Sequence, residues 1–255
     1  MYEDELAAAE RLADGADRIS TQLFRTTGLR VRRKPDRTLV TEADLAIERF
    51  VREELAAAFP DDRILGEEEG GELEAAGRLW AVDPIDATAN FARGIPVWGT
   101  LIALLEDGEP VVGVVSAPAL GERYSAVRGG GARMNGEPIA VSEVASIADA
   151  QVLLHQMEAL LGGPLRPRVE ALVLDCWRPA GFGDFWGHLL VARGAADVAI
   201  EPDLNLWDVA APSLIVREAG GLVTTFDGGP VGHRTSCLST NGRLHEEVLA
   251  RLTLS

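Results

Sequence analysis

The sequence predicts an α+β fold in its first half, residues 1–141, and an α/β fold in its second half, residues 142–255. Three patterns support this prediction. Apolar residues recur at helical spacing near the start of the chain, two apolar runs flank a short polar segment as in a β-hairpin, and strand and helix patterns alternate after Val141. We expect the two halves to form one compact unit rather than two separable domains.

The elements of the first half follow from residue spacing and from breaks in it. The predicted elements are helices over residues 4–24 and 42–59 and strands over residues 79–82, 100–105, 111–116 and 123–127. The second helix ends before Pro60, because a proline disfavours helical backbone at the residue before it. The middle two strands form the hairpin, since only a short acidic segment with a glycine separates them.

In the second half, helical and strand patterns succeed one another. The predicted elements are helices over residues 184–193, 207–218 and 244–252 and strands over residues 197–200 and 222–226. The pair Gly220-Gly221 closes the middle helix, as glycine commonly does at a helix C-terminus.

Composition and charge disfavour several classes of partner. The 255-residue chain has a net charge of −16, which disfavours binding to nucleic acid or to an anionic membrane surface. No apolar run approaches the ~18 residues that suggest a membrane span, and the acidic start is unlike a secretory signal. The two cysteines lack metal-ligand spacing and suit a reducing compartment, so we expect a cytoplasmic protein. Lys34 is the single lysine.

Two carboxylates lie close together in the segment Asp83-Pro84-Ile85-Asp86, directly after an apolar strand. Pro84 interrupts the strand and fixes φ, so we expect a rigid turn at a strand end. Carboxylates this close repel one another unless they share a cation, and their oxygens suit Mg²⁺. The segment therefore predicts a metal site, with an acidic surface turn as the alternative.

Three further acidic segments are ambiguous when each is taken alone. A glutamate run that begins at Glu67 lies between glycines and is also typical of a solvated loop. Asp208 begins a predicted helix, where a carboxylate also complements the helix dipole. Asp44 closes a capping-box pattern that starts at Thr41, in which it would serve only to begin a helix. Their joint occurrence favours metal binding.

These segments resemble the inositol monophosphatase superfamily in order and spacing. They are Lys34-Pro-Asp, Val40-Thr41-Glu-Ala-Asp44, Gly66-Glu67-Glu68, Asp83-Pro-Ile-Asp86-Ala-Thr88 and Trp207-Asp208-Val-Ala-Ala. The likeness extends through Pro96-Val-Trp-Gly-Thr-Leu-Ile-Ala-Leu, Gly113-Val-Val-Ser-Ala-Pro, Gly183-Asp184-Phe185 and Val216-Arg-Glu-Ala-Gly-Gly221, which are most similar to actinobacterial histidinol-phosphate phosphatases. The resemblance implies a layered αβαβα sandwich with an active site between its halves.

The resemblance also implies a role for each matched residue. Two or three Mg²⁺ ions would be held by Glu67, Asp83, the Ile85 carbonyl, Asp86 and Asp208. The residues that orient and activate the attacking water would be Asp44 and Thr88, assisted by Glu67. Those near the phosphate would be Lys34, Ala87 and Thr88. The organic part of the substrate would meet Glu201 and Asp184, although Asp184 could instead cap the helix that follows it.

Two alanines depart from the superfamily pattern. Ala87 stands where a glycine is usual, which costs roughly 1 kcal/mol if the backbone there needs a positive φ. Ala89 stands where a larger or basic side chain is common. No histidine lies in a motif that suggests a phosphoenzyme, and we expect structural or surface roles for His155, His188, His233 and His245.

The resemblance implies a Mg²⁺-dependent phosphomonoesterase that acts on a small phosphorylated metabolite. The likeness to the histidinol-phosphate phosphatases indicates histidinol phosphate as the substrate, and hence a role in histidine biosynthesis. An inositol, sugar or pathway-specific metabolite phosphate is the alternative substrate. A catalytically weak paralogue that binds a ligand or partner is a third hypothesis, supported by Ala87 alone. The family resemblance further suggests a homodimer.

Overall fold

Helices and β-sheets alternate in layers along one direction of the molecule. The computed structural model describes residues 2–35, 37–74 and 76–253. The helices are α1 (Glu3–Leu23), α2 (Glu42–Ala58), α3 (Thr88–Ala92), α4 (Met157–Gly162), α5 (Arg166–Asp175), α6 (Asp184–Ala192), α7 (Leu206–Glu218) and α8 (His245–Leu252). The strands are β1 (Val31–Arg33), β2 (Leu39–Thr41), β3 (Arg63–Gly66), β4 (Arg78–Asp86), β5 (Gly99–Glu106), β6 (Glu109–Ala117), β7 (Glu122–Val127), β8 (Ala132–Met134), β9 (Glu137–Pro138), β10 (Gln151–Leu154), β11 (Arg178–Ala180), β12 (Val198–Leu204), β13 (Leu222–Thr224) and β14 (Thr235–Thr240).

Two large sheets and a separate hairpin account for the strands. A seven-stranded sheet has the order β3-β4-β5-β6-β7-β8-β9, in which only the β3–β4 pair is parallel. A five-stranded sheet has the order β11-β10-β12-β14-β13, and β10 lies parallel to both of its neighbours. β1 and β2 form an antiparallel hairpin that leads into α2.

Alternate residues of the strands face different layers, which explains the order of the sandwich. In β4, Trp80 packs in the core beneath α1 and α2, whereas Leu79 packs in the core that contains α6 and α7. Leu153 of β10 joins the core of α6 and α7 from the opposite side, while Val152 packs with α5 and α8. Two helices therefore lie between the two sheets, and the predicted αβαβα sandwich is confirmed.

The sequence located most of the long elements but missed several short ones. The strand expected over residues 79–82 runs on to Asp86, with an irregular register against β5 after Asp83. Pro84 is accommodated because it lies in this irregular stretch, where a missing N–H breaks no regular ladder of hydrogen bonds. Its carbonyl accepts a hydrogen bond from the Thr100 hydroxyl at 2.8 Å. We did not predict β10 or β14, which are only four and six residues long. Helix α5 also escaped prediction, because only Val169 and Leu172 of it are buried.

Candidate active site

The predicted acidic segments meet in a cavity of about 500 Å³ between the two halves of the chain. The ends of β4 and β12, the loop after β3 and the first turns of α3, α6 and α7 contribute to its wall. The predicted residues that line it are Glu67, Asp83, Ile85, Asp86, Ala87, Thr88, Asp184, Glu201 and Asp208. Asp44 lies beneath Thr88, and Lys34 lies beside Glu67. Asp36, part of the first matched segment, lies outside the described residues.

Asp83 is a deeply buried carboxylate of the cluster. It is 2% exposed, and its Oδ1 has no hydrogen-bond partner among the described residues. Burial, with repulsion from Glu67 and Asp86, raises the pKa of Asp83 well above its ordinary range. A buried carboxylate without a donor is costly, so this oxygen is suited to a cation as its partner.

Asp86 joins the two halves of the chain. Its Oδ1 accepts a hydrogen bond from the Ala87 N–H at 2.7 Å, and its Oδ2 accepts one from the Phe185 N–H at 2.7 Å. Burial, followed by repulsion from Asp184 and Asp208, raises the pKa of Asp86 well above its ordinary range. The first turn of α6 is thereby fixed against the end of β4.

Asp208 lies in the first turn of α7 and also faces the cavity. Its Oδ2 accepts hydrogen bonds from the backbone and side-chain nitrogens of Asn205, at 2.7 and 3.3 Å. Burial raises the pKa of Asp208 to about 7, although the bonds from Asn205 act in the opposite direction. The helix-starting role that we considered as an alternative is therefore present together with the position in the cluster.

Asp44 has the same double position at the start of α2. Its Oδ2 accepts hydrogen bonds from the backbone and hydroxyl of Thr41, which completes the capping box. Its Oδ1 lies 3.2 Å from the Thr88 hydroxyl, which is also 3.0 Å from the Ile85 carbonyl oxygen. Asp44 is fully buried, and burial raises its pKa to about 6. The predicted Asp44–Thr88 pair is thus in hydrogen-bond contact.

Lys34 pairs with the first two residues of the glutamate run. Its Nζ lies 2.8 Å from Glu67 Oε1 and 2.6 Å from Glu68 Oε1. Burial alone would lower the pKa of Lys34, but the hydrogen bonds with these two glutamates raise it well above its usual value. Burial raises the pKa of Glu68 to about 7.

The loop that carries Glu67 is held by Glu48, which the sequence analysis did not single out. Glu48 lies fully buried in α2 and accepts hydrogen bonds from the N–H groups of Glu68 and Glu69 at 2.7 and 2.9 Å. A side chain on Gly66 would displace the Glu48 carboxylate from this loop, because its Cβ would lie 2.0 Å from Glu48 Oε1. A glutamate on the buried face of a predicted helix was the signal that could have found it.

The carboxylates alone are not arranged as a complete metal-binding site. In residues 2–35, 37–74 and 76–253, no group of three or more histidine, cysteine or carboxylate side chains is arranged to hold a metal ion as it stands. Lys34 engages Glu67 and Glu68 instead, Asn205 engages Asp208, and backbone N–H groups engage Asp86. The ligand atoms that the predicted metal-binding residues offer are all oxygens, which hard divalent cations prefer.

Ala87 adopts the left-handed backbone that the sequence analysis treated as the costly case. Its φ and ψ are 65° and 45°, and α3 begins directly after it. An alanine in this region costs about 1 kcal/mol relative to glycine. Ala89, the other departure from the superfamily pattern, is exposed and lines the cavity with only a methyl group.

The far end of the cavity contains a histidine that the sequence analysis assigned to a structural or surface role. His155 lines the cavity, with its Nδ1 2.5 Å from Glu201 Oε1 and its Nε2 3.3 Å from Asp184 Oδ1. Asp184 does not cap α6: the N-cap residue is Gly183, and Asp184 is the first helical residue. Burial raises the pKa of Asp184 to about 6. The two predicted substrate residues are thus linked through His155.

Comparison with known proteins agrees with this arrangement. The model of the inositol monophosphatase family matches residues 1–254. The chain belongs to the inositol monophosphatase family. It is 47% identical to a histidinol-phosphatase of Mycobacterium tuberculosis, with 99% of both chains covered. It is 43% identical to a histidinol-phosphatase of Streptomyces coelicolor, with 98% of this chain and 97% of the relative covered.

Solved structures of inositol monophosphatases share the fold. The match to the enzyme of Thermotoga maritima has a TM-score of 0.88 at 33% identity and covers 98% of this chain and 96% of the other. The match to the enzyme of Zymomonas mobilis has a TM-score of 0.86 at 31% identity and covers 100% and 99%.

Membership of the inositol monophosphatase family establishes the general activity. The protein is a phosphatase that hydrolyses phosphomonoesters, and the family is metal-dependent, typically on Mg²⁺. Proteins of this family act on small phosphorylated metabolites. No helix within the described residues is both long and apolar enough to cross a membrane.

Proposed function

We propose that the chain is a Mg²⁺-dependent histidinol-phosphate phosphatase of histidine biosynthesis. The observation that carries this proposal is the acidic far end of the cavity, where Asp184 and Glu201 flank His155. Carboxylates form strong charge-assisted hydrogen bonds with an ammonium group such as that of histidinol phosphate. The two actinobacterial relatives named histidinol-phosphatase support the same substrate.

The proposed metal ligands are Glu67, Asp83, the Ile85 carbonyl, Asp86 and Asp208, which together would hold two or three Mg²⁺ ions. The unpartnered Asp83 Oδ1 and the raised pKa values of three of these aspartates support the proposal. When bound, such ions stabilise charge on a phosphate and lower the pKa of water. In a protein with a net charge of −16, they also offset the repulsion of an anionic substrate.

The protein's own residues orient the reaction. We assign to the Thr88 hydroxyl the positioning of the attacking water, because its contact with the buried Asp44 carboxylate fixes its direction. Asp44 would accept, through this contact, the proton that the attacking water loses. Ala87 and Thr88, at the start of α3, would lie at the phosphate. Lys34 balances the charge of Glu67 beside it.

Location and assembly form a separate part of the proposal. Cys176 and Cys237 are both free thiols, which supports a reducing compartment such as the cytoplasm. We also propose a homodimer on the basis of the family resemblance. Sedimentation velocity tests the assembly: a single species of about 54 kDa supports a dimer of this 27.2 kDa chain, and one of about 27 kDa contradicts it.

The substrate is tested by phosphate release from a panel of esters at saturating Mg²⁺. The panel contains histidinol phosphate, inositol 1-phosphate, fructose 1,6-bisphosphate and glycerol 2-phosphate. We expect the highest kcat/KM for histidinol phosphate. A higher value for inositol 1-phosphate would contradict the substrate while leaving the phosphatase assignment intact.

A further inference from the structure

Glu201 is enclosed by protein donors on both carboxylate oxygens. Oε1 lies 2.5 Å from His155 Nδ1 and 3.2 Å from Gln156 Nε2, and Oε2 lies 3.3 Å from His188 Nε2. The residue is only 3% exposed. Burial alone would raise the pKa of Glu201, but the hydrogen bonds from the two histidines lower it to about 2. Glu201 is therefore a fixed anion in the cavity wall.

His155 is the more accessible member of this cluster. Its side chain is 32% exposed, compared with 4% for Glu201 and 23% for Asp184. Burial alone would lower the pKa of His155, but its hydrogen bond to Glu201 and the charges of Glu201, Asp184 and Glu158 raise it to about 9. At neutral pH the ring is therefore an imidazolium between two carboxylates. The cavity thus presents a His155–Asp184 ion pair to a substrate.

The missing side chain of Gly183 leaves the space that the His155 ring fills. A Cβ at Gly183 would lie 2.3 Å from Cδ2 of His155, and the φ of Gly183 is +45°. Any other residue at position 183 would displace the ring or strain the turn into α6. The ring position is consequently fixed from two sides, by Glu201 and by the glycine.

We propose that the His155 imidazolium occupies a cation-binding subsite in the free enzyme, and that a cationic substrate replaces it as the ion-pair partner of Asp184. The ligand is a phosphomonoester whose organic part bears an ammonium group, so the inference rests on the proposed function in that respect. Before binding, the imidazolium compensates both carboxylates, which would otherwise repel one another. After the exchange, the ammonium pairs with Asp184 while His155 stays on Glu201. His155 is thus a specificity-determining residue that weakens cation binding by competition.

Replacement of His155 by asparagine separates its two contacts. The asparagine amide can donate where Nδ1 donates, so Glu201 keeps a partner, but the charge and the Nε2 contact with Asp184 are lost. We expect the KM for histidinol phosphate to fall about threefold to tenfold, since a competing like charge is removed. We expect the KM for inositol 1-phosphate to change less than about twofold. Glu246→Gln, an exposed charge change on α8 away from the cavity, is the matched control and should change neither KM by more than about twofold.

A double-mutant cycle with Asp184→Asn locates the exchange. Asp184→Asn should raise the KM for histidinol phosphate, and His155→Asn should have no further effect in that background, because both act at one contact. Additive effects in the cycle would overturn the proposal. So would a rise in the KM for both esters with His155→Asn, since that result is expected of a ring that only supports the fold or donates to every substrate. Thermal unfolding of each variant confirms that it is folded.

Wild-type kinetics separate this inference from the proposed function. If the wild type prefers inositol 1-phosphate, the proposed substrate is wrong, and the exchange is then measured with L-histidinol as a competitive inhibitor of that reaction. A lower inhibition constant in His155→Asn than in the wild type would support the exchange in that case. An equal or higher constant would overturn it.

Discussion

Two carboxylates in this protein each have two roles, one at a helix start and one in the acidic cluster. In Asp44, Oδ2 completes the capping box of α2 while Oδ1 faces Thr88. In Asp208, Oδ2 accepts from Asn205 at the start of α7, and the residue lines the cavity. A helix start and a cluster position are therefore not competing interpretations of these sequence patterns. Each pattern alone was ambiguous between a helix-starting role and metal binding, and their joint occurrence was needed to favour the cluster.

Asp208→Asn should abolish turnover but keep the fold, because an amide oxygen can still accept from Asn205. In the metal-free protein the variant should also change the pH dependence of stability. The folded-state pKa of Asp208 is raised to about 7, so the wild type loses stability as pH rises from about 4 to about 7. Asparagine cannot ionise, so this loss should be smaller in the variant.

Thermal unfolding in excess chelator between pH 4 and 8 measures the effect. If Asp208→Asn kept wild-type turnover, Asp208 would have only a helix-starting role and would not be a metal ligand. A pH dependence identical to that of the wild type would contradict the burial of its charge.

Ala87→Gly should raise kcat/KM by the same factor for histidinol phosphate and inositol 1-phosphate. Ala87 has a φ of 65°, and we place it at the phosphate that both esters share. Stability should change by less than about 1 kcal/mol, because relief of the left-handed strain is offset by greater freedom of the unfolded chain. Ala89→Gly, two residues on in α3, is the control for a glycine without that strain. A gain confined to one ester would show that Ala87 contacts the organic group.

At the scale of elements, residue patterns predicted the long helices and the long hairpin. Helices α1, α2 and α7 and the β5–β6 hairpin lie within a few residues of their expected bounds. The β1–β2 hairpin was not predicted, because all three residues of β1 are exposed and show no apolar alternation. His155 was missed for a related reason: it follows the short strand β10, and only the tertiary fold brings it to Asp184 on α6.

The β1–β2 hairpin positions Lys34 in its turn, where the Lys34 N–H donates to the Thr38 carbonyl at 2.8 Å. Lys34→Arg should lower kcat/KM about tenfold although the charge is kept. A compact ammonium fits between Glu67 and Glu68 at 2.8 and 2.6 Å, whereas a planar guanidinium requires a wider arrangement. Arg33→Lys, the reverse change at the exposed neighbouring residue, is the matched control and should have little effect. Equal kinetics for the wild type and Lys34→Arg would show that only charge matters at this position.

At the scale of the whole molecule, α6 and α7 connect the two sheets. One core cluster contains residues of the seven-stranded sheet, of both helices and of the five-stranded sheet, for example Leu101, Leu189 and Ala199. The sequence predicted the layer order only through the family resemblance, because periodicity does not specify which sheet a buried helix contacts. The same shared core supports our proposal that the halves form a single unit.

Unfolding should accordingly be one cooperative transition. Trp80 lies in the core beneath α1 and α2, whereas Leu172 of α5 and Leu238 of β14 pack with α8 on the outer face of the second sheet. We expect tryptophan fluorescence and far-ultraviolet circular dichroism to give the same midpoint, because neither half can expose the shared core alone. Two separated transitions would contradict the single unit.

The central claim is that the buried acidic cluster makes this protein a phosphatase by gathering Mg²⁺. The most direct test is the rate of histidinol-phosphate hydrolysis as free Mg²⁺ is varied, with thermal unfolding measured on the same samples. We predict no turnover in excess chelator, recovery as Mg²⁺ is added, and a parallel rise in the unfolding midpoint that Asp83→Asn diminishes, since a ligand that binds only the folded state stabilises it. Undiminished turnover in excess chelator, or an unfolding midpoint that does not respond to Mg²⁺, would contradict the claim.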